Sequence, residues 1–357
     1  MVTGKDARGV TGFAGSLLDL AGDFDWSALP GATTKLLPPE VLRFDVIPDA
    51  KYLEGKHRNF SDRTLVGAVK LGLNGFYALD LHDTVAPDED KSKFDDSFRA
   101  MKYYFFVDDR ILCFGDRIEN GDSRYRTITT LFQNALPAGR ECVLGHDGED
   151  FVLADGEERR FTSGVLRDLA GNHFAILSGD AVVLSRRKNR VTAYFDHGCA
   201  PKGRCYRYLA GIGRAPESDF EVIRQDETAT VVRTGSLTAI AALRPGSELK
   251  ALCPVNRVSA PVLMLTEMRG DKNFALTLTD PDLRLVRAGH NMSFMPDAVV
   301  QGAAKPLTVM VELWGKWQLS SPQENVRATA SPDGKRTMLS LEPREGLTVE
   351  MVLTQVD

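Results

Sequence analysis

The sequence predicts an all-β protein: a large antiparallel supersandwich, a small C-terminal β-sandwich, and a short helical segment at the N-terminal end. Three observations predict it. Apolar runs of roughly four to eight residues recur along the chain. Gly, Asp, Asn and Pro break them at short intervals. Helical periodicity is scarce.

The elements follow in order. The best helical stretch is Phe13 to Ala21, with Leu17, Leu18 and Leu20 on it. Strands are expected at Tyr103–Val107, Ile111–Phe114, Phe151–Ala154 and His173–Leu177. More follow at Ala181–Leu184, Val191–Phe195, Ala229–Val232, Leu237–Ala242 and Val262–Leu265. The last third continues the pattern at Phe274–Leu278, Leu307–Trp314 and Leu347–Leu353. Asp108-Asp109-Arg110 and Arg187-Lys188-Asn189-Arg190 sit between apolar strands and read as hairpin turns. Ser331-Pro332-Asp333-Gly334 has the residues of a type I turn. Many closely spaced strands imply stacked sheets rather than a small barrel. Pro254 to Pro261 is the expected boundary. It makes residues 1–36 a linker with a short helix, 37–253 the large sandwich and 257–357 the small one.

Composition narrows the function classes. The chain has 357 residues, is 43% hydrophobic and 26% charged, and carries a net charge of -5. That is the balance of a folded protein with a sizeable core. No long basic block marks a nucleic-acid partner. No apolar run is long enough for a membrane helix, and the opening MVTGKDARGVTGFAG is too polar for a secretory signal. Five cysteines occur with no CxxC pair, so no zinc site is expected. Cys199 and Cys205 flank a turn and read either as a disulfide or, the favoured reading, as two free thiols on a hairpin.

Few residues suggest chemistry by themselves. No GxSxG, HExxH, P-loop or dinucleotide fingerprint occurs, and no cofactor is implied. Asp80 and His82 fall on one face of a strand, as an acid–base or metal pair or as a solvated strand end, the favoured reading. His197 ends a strand, as a base or ligand or, as favoured, a turn residue bonded to its neighbours. Arg186, Arg187, Lys188 and Arg190 form a basic cluster, read as a solvated hairpin tip. Arg124-Tyr125-Arg126 combines two guanidinium forks with an aromatic ring. That suits stacking on a sugar and contact with its sulfate or carboxylate; the other reading is an edge strand with outward arginines. Trp314 and Trp317 could offer sugar-stacking rings, but their spacing puts them on opposite faces of a strand, so one is expected in the core.

Several blocks, taken in order, carry a resemblance. FRAMKYYFFVDDRILCFGDRIENGDSRYRTITTLFQ, from Phe98 to Gln133, resembles the central β domain of polysaccharide lyase family 8, the chondroitin, hyaluronan and xanthan lyases. The likeness is strongest to the chondroitin sulfate ABC lyase branch. Asp25-Trp26-Ser27 through Thr33-Thr34 resembles the segment entering that domain. Asn74-Gly75-Phe76 through Asp83, and Asp196-His197-Gly198 through Tyr206-Arg207-Tyr208, resemble its later strands. Asp280-Pro281-Asp282-Leu283, Leu313 to Trp317, and Arg344-Glu345-Gly346 resemble the C-terminal sandwich.

The resemblance implies a galactose mutarotase-like supersandwich and β-elimination at a uronic acid. In the family the catalytic His, Tyr and Arg sit on an N-terminal helical toroid, which this chain is expected not to contain. The central domain contributes a Glu at the position held here by Ile128. The chain is therefore expected to lack catalysis by itself. Glu119 and Asp122 are the carboxylates near enough in sequence to replace that Glu. Arg124, Tyr125, Arg126, Thr129 and Gln133 are expected to face an acidic polysaccharide. A helical toroid domain or chain is the other implied partner, and the implied place of work is extracellular or periplasmic. A stand-alone carbohydrate-binding or toroid-docking protein is the alternative.

Overall fold

Backbone hydrogen bonds in the computed structural model run almost entirely between strands. It describes residues 4–5, 11–13, 16–17, 24–38, 59–85, 95–249, 253–282, 305 and 307–356. Among these, 25 strands form four antiparallel sheets, and two small sheets of very short strands accompany them. The all-β expectation holds. The helix expected over Phe13 to Ala21 does not form where it can be seen. Phe13 and Ser16–Leu17 are strand, while residues 14–15 and 18–21 lie outside the described residues. So short a segment is below the length at which a helix stands without packing. Helical structure among the described residues is one 3-10 turn, Trp26–Ala28, capped by Asp25, whose side chain accepts from the Ser27 N–H at 3.0 Å.

The chain divides into two compact units. The first comprises Met1–Asp62, Leu81–Lys102 and Asp109–Ser218. Its five-stranded sheet runs Glu158–Phe161, Val182–Arg187, Arg190–Cys199, Arg126–Ala135, Thr33–Lys35. Its other sheet is nine-stranded, and the strands of it that lie wholly in this unit run Glu149–Val152, Val143–His146, Gly164–Arg167, His173–Gly179, Arg204–Gly211, Arg110–Glu119. Alternation buries one face of each sheet against the other. Phe132 and Phe195 from the first meet Phe174 and Tyr206 from the second, with ring centroids 5.0 and 5.6 Å apart. Packing is close enough to dictate a glycine. A Cβ on Gly115 would lie 2.7 Å from the Tyr206 ring and 2.8 Å from the Met101 carbonyl.

The turns explain the strand order. Asp108 and Lys188 adopt positive φ of 54° and 57° at the tips of the two expected hairpins. Ala200–Gly203 does something else. It carries the chain from Arg190–Cys199 in one sheet to Arg204–Gly211 in the other. Cys199 and Cys205 are free and exposed, as favoured, but they do not sit on one hairpin. Backbone pairing there is replaced by a crossing between layers.

The second unit comprises Arg63–Asp80, Tyr103–Asp108 and Asp219–Asp357. Its seven-stranded sheet runs Glu221–Gln225, Ala229–Thr234, Leu237–Ala242, Val262–Arg269, Asn273–Thr279, Val349–Gln355, Trp317–Leu319. A four-stranded sheet runs Val255–Val258, Val309–Trp314, Arg336–Leu341, Val326–Ala330. Val231, Ile240, Met264 and Leu276 pack against Val311, Leu313, Leu339 and Leu341 between the two. Val262, Leu263, Met264 and Leu265 are all fully buried, so that strand is covered on both faces. Ser331–Gly334 forms its expected turn, with Asp333 accepting from Ser331 and Lys335. Of the block Asp280 to Leu283, Asp280–Asp282 are described and Leu283 lies outside the described residues.

Candidate functional site

The strand Arg126–Ala135 is the spine of the site. Arg190–Cys199 pairs with it on one side and Thr33–Lys35 on the other. Two irregularities interrupt its pairing with Arg190–Cys199, one between Thr127 and Ile128 and one between Thr130 and Phe132. The first leaves His197 without an opposite residue, since Thr127 faces Gly198 and Ile128 faces Asp196. Bulges of this kind re-aim side chains at the ends of sheets.

Asp196 is the centre of charge. Its side chain is almost fully buried and takes two bonds from Arg126, the Nε bond at 2.7 Å. Arg160 reaches the same carboxylate at 3.4 Å, and the Gly198 N–H adds a bond at 3.2 Å. Burial alone would raise its pKa. The fork from Arg126, the Gly198 N–H and the field of both arginines outweigh burial and hold it below the usual carboxylate range. Arg126 and Arg160 remain about half exposed, so one edge of each guanidinium faces water.

Arg124 repeats the pattern at the loop before the strand. Its Nε and Nη2 each bind Asp122 at 2.9 Å, and the guanidinium lies 5.4 Å from the Tyr125 ring centre. The bonds from Arg124 hold Asp122 down at about 2, with Lys35 adding at 3.6 Å. Asp122 is thus a committed anion, unsuited to deliver a proton near neutrality. Glu119 faces Arg99 at 3.7 Å, with both half exposed. Neither carboxylate replaces the Glu that the resemblance puts at Ile128.

Ile128 itself is fully buried, opposite Asp196 and Thr34. The expected polysaccharide-facing set splits in two. Arg124, Tyr125 and Arg126 carry exposed surface. Thr129 and Gln133 are 0% and 1% exposed, which removes them from any surface. Their partners explain why. Gln133 takes the Asp25 N–H at 2.7 Å and donates to the Asp25 and Ala28 carbonyls at 3.1 and 3.0 Å. It fastens the entering segment to the sheet. Lys102 fastens the same segment by donating to the Gly31 carbonyl.

Thr129 belongs to a buried relay. Its hydroxyl lies 2.8 Å from that of Thr33 and 2.9 Å from His197 Nε2, and His197 Nδ1 lies 2.8 Å from Asp180. His197 is therefore not a turn residue bonded to its neighbours, because it bridges elements distant in sequence. The order carboxylate, imidazole, hydroxyl resembles a nucleophilic relay. Here the hydroxyl is sealed from solvent, so the arrangement ties strands together. Asp180, Thr33 and Arg160 were not legible as members of the site. Nothing local marks them, and pairing across the sheet brings them in.

The other candidates resolve as structural. His82 is buried between Asp62, at 2.5 Å, and the Asp96 carbonyl, at 2.7 Å, while Asp80 faces Arg63 at 4.0 Å. The two do not act as a pair. Arg186 and Arg187 bind the Leu153 and Gly156 carbonyls, at 2.8 and 2.9 Å, and Arg187 also binds Glu158. No group of three His, Cys, Asp or Glu suited to a metal occurs among the described residues.

Beside this region Asp83 gives a measurable consequence. Burial pushes its pKa up to about 6 against the lowering fields of Lys35 and His82. A raised native pKa means stability that is present below about pH 4 and lost as pH rises through 6. Asp83→Asn should therefore stabilise the fold by roughly 2 kcal/mol at pH 7 and by almost nothing at pH 4. Thermal melts at both pH values test this; an equal gain at both would mean that charge burial is not the cause.

Comparison with known proteins places this geometry. The family description "Polysaccharide lyase family 8, super-sandwich domain" matches residues 19–166. Over that segment the chain resembles the β-sandwich portion of polysaccharide lyase family 8. A chondroitin sulfate ABC exolyase of Bacteroides thetaiotaomicron is 25% identical over 355 residues, which cover 92% of this chain and 34% of that protein. A chondroitin sulfate ABC endolyase of Proteus vulgaris is 26% identical, covering 93% of this chain and 32% of its own. The chain thus spans about a third of the length of these relatives. In fold it is similar to a Paenibacillus xanthan lyase, with a TM-score of 0.68 at 15% identity over 93% of this chain and 31% of the other. It is also similar to the Streptomyces coelicolor chondroitin AC lyase, with a TM-score of 0.59 at 17% identity over 93% and 40%. The family's super-sandwich segment contains both Ile128 and the arginines at 124 and 126.

Proposed function

We propose that this chain is the β portion of a glycosaminoglycan lyase that cleaves chondroitin sulfate, dermatan sulfate or hyaluronan by β-elimination. In this reading the 357 residues are not catalytic alone. The proton-transferring residues come from a helical toroid outside them. Such polymers are met outside the cytoplasm, which is where this reading places the protein.

The chemistry sets the requirement. A proton leaves C5 of the uronate and the glycosidic oxygen leaves C4. The neighbouring carboxylate must be neutralised for that proton to be acidic enough, and an acid must protonate the leaving oxygen. The exposed edges of Arg124 and Arg126 are suited to the first task, toward a carboxylate or sulfate. The carboxylates that those arginines bind, Asp122 and Asp196, are held ionised and are not suited to the second. The observation that carries the reading is Ile128, fully buried where the resemblance puts a Glu, with Asp122 and Asp196 held ionised by arginines.

The test is a lyase assay on the purified chain with all three polymers, following ultraviolet absorbance of the unsaturated uronate. A flat trace is expected. A rise proportional to protein would place a complete catalytic set within this chain and overturn the reading. Binding without turnover, weakened in a salt-dependent way by the Arg124→Ala, Arg126→Ala double variant, is expected alongside. No loss of affinity would remove those two residues from the site.

A further inference from the structure

Trp314 and Trp317 separate in a way their spacing alone does not dictate. Gly315, between them, has a φ of 89°, in the region that favours glycine. The strand Val309–Trp314 ends there in the four-stranded sheet, and Trp317–Leu319 begins in the seven-stranded one. Trp317 enters the core beside Phe274, with centroids 5.7 Å apart, and is 5% exposed. Trp314 turns to the opposite, outer face of the four-stranded sheet and is 50% exposed.

The main chain that carries the exposed indole is held in place: the backbone N–H of Trp314 donates to the Pro254 carbonyl at 2.8 Å, and its backbone carbonyl accepts from Trp317 Nε1 at 2.7 Å. Arg336, its cross-strand partner, lies 4.6 Å from the ring and is itself pinned by Glu312 at 3.1 Å. A ring fixed this way loses little freedom when a ligand covers it.

The rest of that face decides the ligand. Along the strands it presents Met310, Glu312, Met338, Ser340, Arg327 and Thr329, none of them buried. The face is not one contiguous apolar patch, since Met310 and Met338 alternate with carboxylate, hydroxyl and guanidinium groups. A flat aromatic ring among hydroxyl and guanidinium groups suits a pyranose with an anionic substituent. Charge agrees. Arg336 pairs with Glu312 and Arg257 with Glu248, whereas Arg327 has no carboxylate partner among the described residues. Arg327 is exposed at the far end of the face, in register with Ser340 and, through it, Met310. A chain of net charge -5 thus presents an open cation on the same face as the indole, at the face's far end.

We propose that the outer face of this four-stranded sheet binds an anionic polysaccharide, with a sugar ring on Trp314 and a carboxylate or sulfate further along the chain on Arg327. The inference rests on the lyase reading for its ligand class but uses none of the residues placed in the site above.

The experiment is calorimetric titration of the full chain with size-defined chondroitin sulfate, hyaluronan, alginate and neutral dextran, with tryptophan emission recorded in parallel. Binding to an anionic polymer with a change in emission is expected, and dextran should bind about tenfold more weakly. Trp314→Ala should weaken binding about tenfold and Trp314→Phe only about threefold. Arg327→Ala should weaken it about threefold and flatten its salt dependence. Trp314→Ala should melt within ~2 °C of the native chain, because the indole is exposed.

Unchanged affinity of Trp314→Ala for every polymer overturns the proposal, as does the absence of binding to any of them. A change in oligomeric state on Trp314→Ala without loss of polysaccharide binding also overturns it, by making the face a protein contact. The two readings fail separately. Chondroitin sulfate binding that depends on Arg124 and Arg126 but not on Trp314 removes this inference alone. Trp314-dependent binding confined to alginate keeps it and removes the glycosaminoglycan reading.

Discussion

Gln133→Leu is expected to loosen the whole entering segment. Gln133 is buried, and its amide makes three hydrogen bonds to the backbone of Asp25 and Ala28. Leucine has a similar volume and none of those bonds. The Asp25 N–H and the Ala28 carbonyl are left facing an apolar side chain, at about 1–3 kcal/mol for each group that water cannot reach, while the Asp25 carbonyl keeps its bond from the Ala28 N–H. Asp25 is only half buried, so part of that cost is recovered by hydration. A loss of about 3 kcal/mol and a fall of roughly 6–12 °C in the melting midpoint follow. The loss should be local in origin. Ser27, Ala28 and Gly31, whose N–H groups are bonded within this segment or to Thr130, should exchange faster with solvent deuterium. A midpoint within 2 °C of the native chain would mean that Gln133 is not an anchor. It would then be open to the substrate-facing role that the sequence suggests.

Ile128→Glu is expected to cost about 4 kcal/mol at pH 8 and to restore no lyase activity. Ile128 is fully buried, so its removal forfeits about 2–3 kcal/mol of apolar burial. The new carboxylate would stand opposite Asp196, which Arg126 and Arg160 already hold ionised. Burial and that like charge both raise the pKa of the introduced Glu. A raised pKa contributes stability below the ordinary carboxylate range that is lost as pH rises. The variant should therefore lie nearer the native chain at pH 5 than at pH 8. Melts at the two pH values and the uronate assay check both halves. A stable variant at pH 8 would show that the position accepts an anion, and a rising trace would show that one carboxylate was all this chain lacked.

These two residues illustrate how far the sequence could be read. Thr129-Thr130-Leu131-Phe132-Gln133 is recognisable as a block. Its place in the fold follows, because an apolar run with that likeness has to be a central strand. Which of its residues meet solvent does not follow. Alternation says only that neighbours point to opposite faces. Bulges beside Ile128 and Leu131 shift that alternation, and cover from other segments buries residues on the outer face as well. The exposed arginines were legible for a simple reason: a guanidinium is rarely buried, so Arg124 and Arg126 were safe on the surface. Their engagement with Asp122 and Asp196 was not. The first partner is near in sequence but reached through a turn, and the second arrives from another strand.

His197 shows the same limit from the opposite side. Read locally it is a turn residue. Folded, it joins Asp180 to Thr129. Only strand pairing makes those three neighbours.

By itself, then, the sequence determined the all-β architecture, the turns at 108–110, 187–190 and 331–334, the likeness to polysaccharide lyase family 8 and the isoleucine at position 128. These depend on residue type and short-range order, which a linear chain displays. The tertiary structure decided that Thr129 and Gln133 are internal, that Asp122 and Asp196 are bound to arginines, and that Trp314 faces outward while Trp317 does not. These depend on which strands pair and which faces are covered. Both are long-range, because a hydrogen bond or a desolvated surface is shared between segments that the sequence holds far apart.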